Sequence, residues 1–408
     1  MPPEPFNLRS IAVGAYGPSL FYGVATGAIL PAVSLTARDL GADLATAAFI
    51  IALTGIGSLL ANIPATLIAT RFGERRALIA ASLWCSGAML FALVAPTLAS
   101  FAAAVVLVGM AGAVFGLARQ SYLTEAVPAR YRARALSTLG GVNRIGIFIG
   151  PFAAALMMSF FGLDGAYWVG AGAAFAAAIL SWRVPELPSL HHKRNGAQGT
   201  GGAVDVPTIR STLRDHRRIF VTVGSGVLLL AAVRATRQAV LPLWAETIGL
   251  DAATTALVFG VSGAVDMLVF YPAGKVMDVK GRSWVAVPCL AIMGIALAVM
   301  PFTESLTGLV VVAVALGFGN GIGSGIVMTL GADFSPTPGR PQFLGVWRLL
   351  ADSGTMAGPA ALSVVTGFGT LALGIWFTGG LAFLGAAALW YWIPRSAPPD
   401  AERVRSLG

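Results

Sequence analysis

The chain has 408 residues, of which 56% are hydrophobic and only 11% charged, with a formal net charge of +9. Soluble domains carry roughly 25% charged residues. Apolar runs of about 20 residues recurring from end to end therefore exclude a string of two or three soluble domains and indicate one polytopic membrane chain.

Twelve apolar spans are expected. The first half has them near residues 11–35, 44–68, 77–96, 98–122, 136–161 and 165–182, and the second near 219–244, 252–277, 284–302, 306–330, 343–368 and 371–393. Lipid admits only helices and closed barrels, and these runs are too long for barrel strands. The fold class is thus all-α: an N-terminal six-helix bundle over 1–182, a linker over 183–218, a C-terminal six-helix bundle over 219–394, and a tail over 395–408. The first apolar stretch is too long for a cleaved leader. Cys85 and Cys289 fall inside spans, too few and too deep for a disulfide framework, and read as small core residues. His191, His192 and His216 share one polar loop that offers too few ligands for a metal.

Lysine and arginine set the orientation. Of the 27, 21 lie in the termini, in the loops on the N-terminal side or, for Lys275, at the inner end of a span; Arg38 lies on the other side, and Arg119, Arg144, Arg234, Arg237 and Arg348 lie deeper within spans. The positive-inside rule places both termini in the cytoplasm of a plasma or inner cell membrane. That asymmetry accounts for the net charge without a nucleic-acid partner and sets basic loops against membrane lipids. In the linker, Asn195–Gly202 reads as flexible. Beyond Pro207, Ile209 and Leu213 stand one turn apart among Arg210, Arg214, Arg217 and Arg218, the pattern of a short helix lying on the inner surface.

The two halves repeat at an offset of 208. Gly55 matches Gly263, Pro64 matches Pro272, Gly73 matches Gly281, Gly109 matches Gly317, Glu125 matches Asp333, and Arg132 matches Arg340. Gly146, Gly150 and Pro151 match Gly354, Gly358 and Pro359. Span 1 matches span 7 through Leu30-Pro31 and Leu241-Pro242 at an offset of 211. Six spans per half is an even number, so both copies enter the membrane from the same side, a parallel repeat with the pathway expected at the bundle interface.

In its twelve spans, 6+6 repeat, long central loop and loop patterns, the chain resembles the major facilitator superfamily over essentially its whole length. Gly274-x-x-x-Asp278-x-x-Gly281-Arg282 after span 8 is similar to the loop signature of that family. Its copy after span 2 keeps Arg71, Gly73, Arg75 and Arg76 but has Thr66 and Thr70 where glycine and aspartate are usual. Gly146-x-x-x-Gly150-Pro151 resembles the core of the drug:proton antiporter signature, with Ser137 at the earlier glycine position and Ala154-Ala155 at the closing pair. Val105 stands where the span-4 arginine of those antiporters is expected. The resemblance implies a secondary transporter working by alternating access, with proton-coupled efflux of small amphipathic or anionic compounds. It also implies an ion gradient in place of any cofactor, with spans 1, 4, 7 and 10 around a cavity and spans 2, 5, 8 and 11 at the seams. The chain is expected to act as a monomer.

An ionisable residue inside a span is costly and marks a functional site. Asp266 lies twelve residues before Asp278, about 18 Å in, and Arg144 lies ten residues past Arg134, about 15 Å in. On the implied arrangement they face each other, so an Arg144–Asp266 pair is expected across one seam. Across the other, Ser58 faces Asp352, which has Arg348 one turn away. A pair that breaks during rocking would change how readily its aspartate holds a proton. A static lock between helices is the other reading. Arg234 and Arg237 share one face of span 7 beside Gln238, with no acid in the interior of the same span, which favours an anionic ligand. Pairing of Arg237 with Glu246 or Asp39 is the alternative. Arg119 extends that path or pairs with Glu125, and Tyr22 is a candidate lining residue.

The run Gly317–Gly325 lacks the Lys-Ser/Thr of a phosphate loop. Its small residues suit close packing and bending, with Asn320 placed to bond across it. Gly274, Asp278, Gly281 and Arg282, with Gly73, Arg75, Glu125 and Asp333, are expected to latch a cytoplasmic gate. An embedded enzyme would need a constellation such as His-Glu-x-x-His or Gly-x-Ser-x-Gly, and neither occurs. The strict repeat argues against a channel. Between transport directions, the span-5 pattern favours export and the span-7 arginines favour import of a small organic anion.

Overall fold

A computed structural model describes residues 12–127, 132–184, 209–336 and 339–396, which are helical with no strand among them. The first half contains α1 (Ala12–Ile29), α2 (Ala32–Asp39), α3 (Leu44–Phe72), α4 (Glu74–Leu93), α5 (Leu98–Ala126), α6 (Arg132–Phe161) and α7 (Asp164–Trp182). After the linker come α8 (Ile209–Asp215), α9 (Arg217–Val221), α10 (Val223–Thr247), α11 (Ala252–Lys280), α12 (Ser283–Val299), α13 (Leu306–Ile322), α14 (Ile326–Phe334), α15 (Arg340–Phe368) and α16 (Leu371–Ser396). Eleven segments are long and apolar enough to cross a membrane. The remaining expected span, 343–368, falls in α15. That helix has 29 residues, about 43 Å at the helical rise, so it is long enough. Arg348, Asp352, Ser353 and Thr355 break up its apolar stretch and leave it short on composition.

Three expected spans are interrupted. Span 1 breaks at Leu30-Pro31 between α1 and α2, where proline lacks the donor that would continue the ladder. Span 7 begins as the separate turn α9, with Thr222 between it and α10. Span 10 breaks between α13 and α14 at Gly323–Gly325, with Gly325 at φ +83°.

The chain divides into two compact units. One comprises Met1–Asp43, Leu53–Thr200 and Gly249–Gly260; the other comprises Leu44–Ala52, Gly201–Ile248 and Val261–Gly408. In the first unit α1 packs on α6 and α7, and α4 on α5 and α7. Glycine makes the α1/α6 crossing possible. A Cβ on Gly146 would meet the carbonyl oxygen of Leu20, and one on Gly150 would lie 2.5 Å from the Ala28 nitrogen. The Gly-x-x-x-Gly pattern of span 5 thus holds two backbones in contact. The second unit repeats the crossing between α10 and α15, where Gly354 meets the Leu228 carbonyl and Gly358 that of Ala232. Leu20 and Leu228, like Val24 and Ala232, are 208 apart. The slip to 211 therefore arises beyond the crossing, where α10 runs almost one turn further before its proline. Arg234, Arg237 and Gln238 lie in that stretch.

Phe101, Phe115 and Met89 are fully buried in the first unit, and Leu230, Leu290 and Met293 in the second. Large apolar side chains such as Phe160, Trp182, Leu268 and Phe368 stay exposed, a surface suited to lipid rather than water. The α3–α4 and α11–α12 hairpins turn at Gly73 and Gly281, both in the left-handed region.

Candidate functional site

The close approach of α13 to α11 assembles the site. A Cβ on Gly317 would meet the Ser262 carbonyl oxygen, and one on Gly321 would lie 2.6 Å from the Asp266 carbonyl oxygen. This contact carries Asn320, the residue before Gly321, onto Asp266: its Nδ2 donates to Asp266 Oδ2. On its other side Asn320 Oδ1 accepts from Arg234 Nε at 2.6 Å. The amide has only one orientation that serves both neighbours, because a guanidinium only donates and an ionised carboxylate only accepts. Arg237 donates from Nη1 to Ser262 Oγ at 3.0 Å, and its Nη2 lies 4.0 Å from Asp266 Oδ2. The break in span 10 adds the last contact. The Gly323 carbonyl accepts from Arg234 Nη1 at 3.4 Å. Irregular backbone at membrane depth is tolerated where other groups of the protein serve it.

The cluster is buried and carries an imbalance of charge. Asn320 and Arg237 are 6% and 8% exposed, and the Asp266 side chain 17%. Arg237 has the Asp266 carboxylate beside it. Among the described residues, no carboxylate lies within ion-pair distance of Arg234, whose hydrogen bonds go to Asn320 and Gly323. Gln238 is half-buried one residue beyond Arg237 and makes no hydrogen bond among the described residues.

The other expected residues lie apart from this cluster. Arg119 donates from Nη1 to Asn143 Oδ1 at 2.7 Å and stands over the Phe115 ring, while Glu125 makes no ion pair among the described residues. Tyr22 is buried and stacked on Phe115, with centroids 3.9 Å apart and ring planes 7° from parallel. Arg348 Nε lies 3.8 Å from Asp352 Oδ2. Arg144 is half-buried on α6 in the first unit, and Asp266 belongs to the second.

At the hairpin end, Arg282 reaches two acids. Its Nε donates to Asp333 Oδ2 at 2.7 Å and its Nη1 to Asp278 Oδ1 at 3.3 Å, which ties the α11–α12 turn to the end of α14. These bonds, that to Asp333 foremost, hold the Arg282 guanidinium above its ordinary range. In the first unit Arg75 donates to the Trp182 carbonyl at 2.6 Å, and Glu74, at the place of Arg282, accepts from Ser121 at 3.0 Å. Gly274 has open space where a Cβ would stand. Among the described residues no group of three metal-ligating side chains forms.

Ser262 and the Gly323 carbonyl were not anticipated, and Asn320 was expected only to bridge the glycine run. The available signal was glycine at 317 and 321, four apart on α13 on either side of the one amide in the span.

Comparison with known proteins places the chain. A family profile described as Major Facilitator Superfamily matches residues 19–264 and 223–406. The chain belongs to the major facilitator superfamily. Two uncharacterized MFS-type transporters of Mycobacterium tuberculosis, from strains CDC 1551 / Oshkosh and ATCC 25618 / H37Rv, are each 26% identical over 293 residues, covering 70% of this chain and 68% of theirs. Solved structures share the fold. A POT family transporter in complex with a thioalcohol-conjugated peptide gives a TM-score of 0.75 at 12% identity, covering 95% of this chain and 96% of that one. The nucleoside transporter NupG gives 0.71 at 14%, covering 93% and 99%. A D-xylose-proton symporter gives 0.72 at 16%, covering 94% and 97%. This major facilitator is a multi-pass membrane protein and a secondary transporter, and its relatives and structural neighbours are transporters rather than enzymes.

Proposed function

We propose that the protein is a proton-coupled transporter of a small organic compound bearing an anionic group, bound at Arg234 and coupled through Asp266. The observation that carries this reading is the buried cluster on α10, α11 and α13. Its two guanidinium groups face one carboxylate, and Arg234 keeps no acid of its own. An isolated positive charge at membrane depth is costly, and an anionic ligand offsets it. Gln238 extends the ligand contacts along α10, with Arg119 and Tyr22 on the first unit's side of the path.

Efflux in exchange for protons is the direction implied by the span-5 resemblance to drug:proton antiporters. Import of a small organic anion is the second reading, favoured by the positive excess around Arg234. On either, twelve spans in two six-helix bundles rock about a central path, α15 serving as the least apolar span. Arg144 pairs with Asp266 in one state and releases it in the other, and Arg348 does the same for Asp352. Arg282 with Asp278 and Asp333, beside the Gly73–Arg75 hairpin, latches the inner face. Both termini lie in the cytoplasm, the protein works as a monomer, and a proton gradient is its only energy source.

The test is flux in reconstituted liposomes. A panel of labelled organic acids and their neutral amides is offered with and without an imposed pH gradient, to the wild type and to Asp266→Asn. Gradient-driven movement of an acid, lost in Asp266→Asn, is expected. A panel that binds but never responds to the gradient would remove proton coupling.

A further inference from the structure

The chain of hydrogen bonds from Arg234 through Asn320 to Asp266 has a consequence for coupling, and it rests on the second reading just proposed, import of an organic anion at Arg234 together with a proton. We infer that Asn320 is the positioning residue that links the protonation of Asp266 to the affinity of Arg234 for an anion, so that proton and anion bind together.

With Asp266 ionised, the Nδ2 donor of Asn320 makes a charge-assisted hydrogen bond to Oδ2, about twice as strong as a neutral one. That bond polarises the amide and makes Oδ1 a better acceptor for Arg234 Nε, since hydrogen bonds in a chain strengthen one another in a low-dielectric interior. Arg234 is then held against α13, with its Nη1 turned to the Gly323 carbonyl. An incoming anion must compete with both oxygens for the fork.

Protonation of Asp266 adds one proton to one carboxylate oxygen and removes one negative charge. The bond from Asn320 becomes neutral, the amide loses its polarisation, and its hold on Arg234 weakens. The cluster gains one unit of positive charge at the same moment. Both changes favour an anion at Arg234, and by linkage the anion raises the affinity for the proton by the same factor.

Within the second unit the charged groups placed against Asp266 include Arg237 of α10, with Nη2 4.0 Å from Oδ2, and Arg234 of α10, joined to it through Asn320 of α13. Neither arginine changes charge in the working range. Arg144, on the reading proposed above, joins them from the first unit. What distinguishes Asn320 is position. It touches the proton site and the anion site at once, and its neighbour Gly321 leaves no room between α13 and α11 for any larger side chain to intervene.

The experiment uses the purified full-length protein in nanodiscs, with benzoate as the anionic probe and benzamide as its neutral control. Affinity is measured by calorimetry across the pH range in which the protein stays folded, with proton uptake on binding measured in weak buffer. The wild type is expected to bind benzoate about ten-fold more tightly at the acid end, with proton uptake, and to ignore benzamide. Asn320→Leu is expected to bind benzoate with a flat pH profile and no proton uptake. Asn320→Ser, smaller and polar, is a second variant should leucine not fold, and its profile is also expected to flatten. Asp266→Asn is flat by construction and calibrates the floor. If both Asn320 variants keep the wild-type slope, the coupling is through-space attraction alone and the role of Asn320 is overturned while the anion site stands. A wild-type profile without slope overturns the linkage and leaves the anion site standing. If the wild type takes up no benzoate, or Arg234→Gln binds it as well as the wild type does, the anion reading of Arg234 fails and this inference with it.

Discussion

The two units solve one packing problem alike and one chemical problem differently. In both, a glycine presses a helix onto its neighbour: Gly109 of α5 against the Thr54 carbonyl, and Gly317 of α13 against the Ser262 carbonyl, 208 residues on. Around that shared contact the side chains diverge. Asp266, Asn320 and Arg234 occupy the second unit where Ser58, Gly112 and Thr26 occupy the first. Gly323, at the break, replaces Phe115, whose ring stacks on Tyr22. Where the second unit opens its helix and installs charge, the first closes the same place with two aromatic rings. Repetition preserved the backbone contact, where a Cβ on either glycine would meet a carbonyl oxygen, and left the polar groups free to differ, so the Arg234–Asn320–Asp266 chain has no copy in the first unit.

The largest expected effect tests that asymmetry. Asp266→Ala leaves Arg237 buried beside a missing carboxylate and should cost about 3–5 kcal/mol in denaturation of the purified protein, with loss of gradient-driven flux. Ser58→Ala, at the matching place, should change stability by no more than about 0.5 kcal/mol. The shared feature predicts symmetry instead. Gly109→Ala and Gly317→Ala should each cost about 1–3 kcal/mol by forcing backbones apart, and a large inequality between them would break the structural equivalence. At the helix break, Gly325→Ala should cost about 1–2 kcal/mol because of its left-handed backbone. Leu117→Gly in the unbroken α5 should lose about 1 kcal/mol for the opposite reason, the poor helix propensity of glycine.

Smaller effects are expected at the ends of helices. Arg282→Ala removes a partly exposed pair and should cost about 0.5 kcal/mol, while thiol labelling of an introduced cysteine at position 278 should rise as the turn loosens. The smallest concerns Asp251, which caps α11 by accepting from Thr254 N at 3.0 Å and Thr254 Oγ1 at 2.6 Å. The Thr254 side chain, then its backbone, hold the Asp251 carboxyl below its ordinary range. A depressed value means stabilisation that is present above the unfolded pKa of about 3.9 and is lost as pH falls through the folded one. Asp251→Asn keeps the cap and should flatten only that acid limb, by a few tenths of a kcal/mol for so exposed a group.

Much of the architecture was legible because lipid enforces it. Apolar length marked the spans, and glycine and proline at fixed offsets marked the repeat. The site residues Asp266, Arg234 and Arg237 stood out because a charge in an apolar run is conspicuous. Their grouping was harder to see. Counting depth from residue 219 sets Arg237 about 27 Å in, toward the far surface and its acids. The continuous helix starts at Val223, after the separate turn α9, and from there Arg237 is about 21 Å in and Arg234 about 17 Å, close to the estimate for Asp266. The break at Thr222 is invisible to hydropathy, because Ile219, Phe220 and Val221 before it read as apolar and continue the span. The break in span 10 was equally hidden. Glycines announced flexibility, but nothing in composition says that the Gly323 carbonyl, which accepts from Ile326 N at 3.3 Å, will also accept from an arginine on another helix.

That break also divides span 10 into parts of unequal mass. The nine-residue α14 is gripped by Arg282 at Asp333, one residue before its end, and its start is pinned by Trp347 Nε1 donating to the Val327 carbonyl at 2.8 Å. This rod is nine residues long and joined through glycines, whereas the matching α5 is one piece of 29 residues. Mechanically the two units differ: the second carries a short rod whose root, at Gly323, touches Arg234, and the first carries no such break in α5.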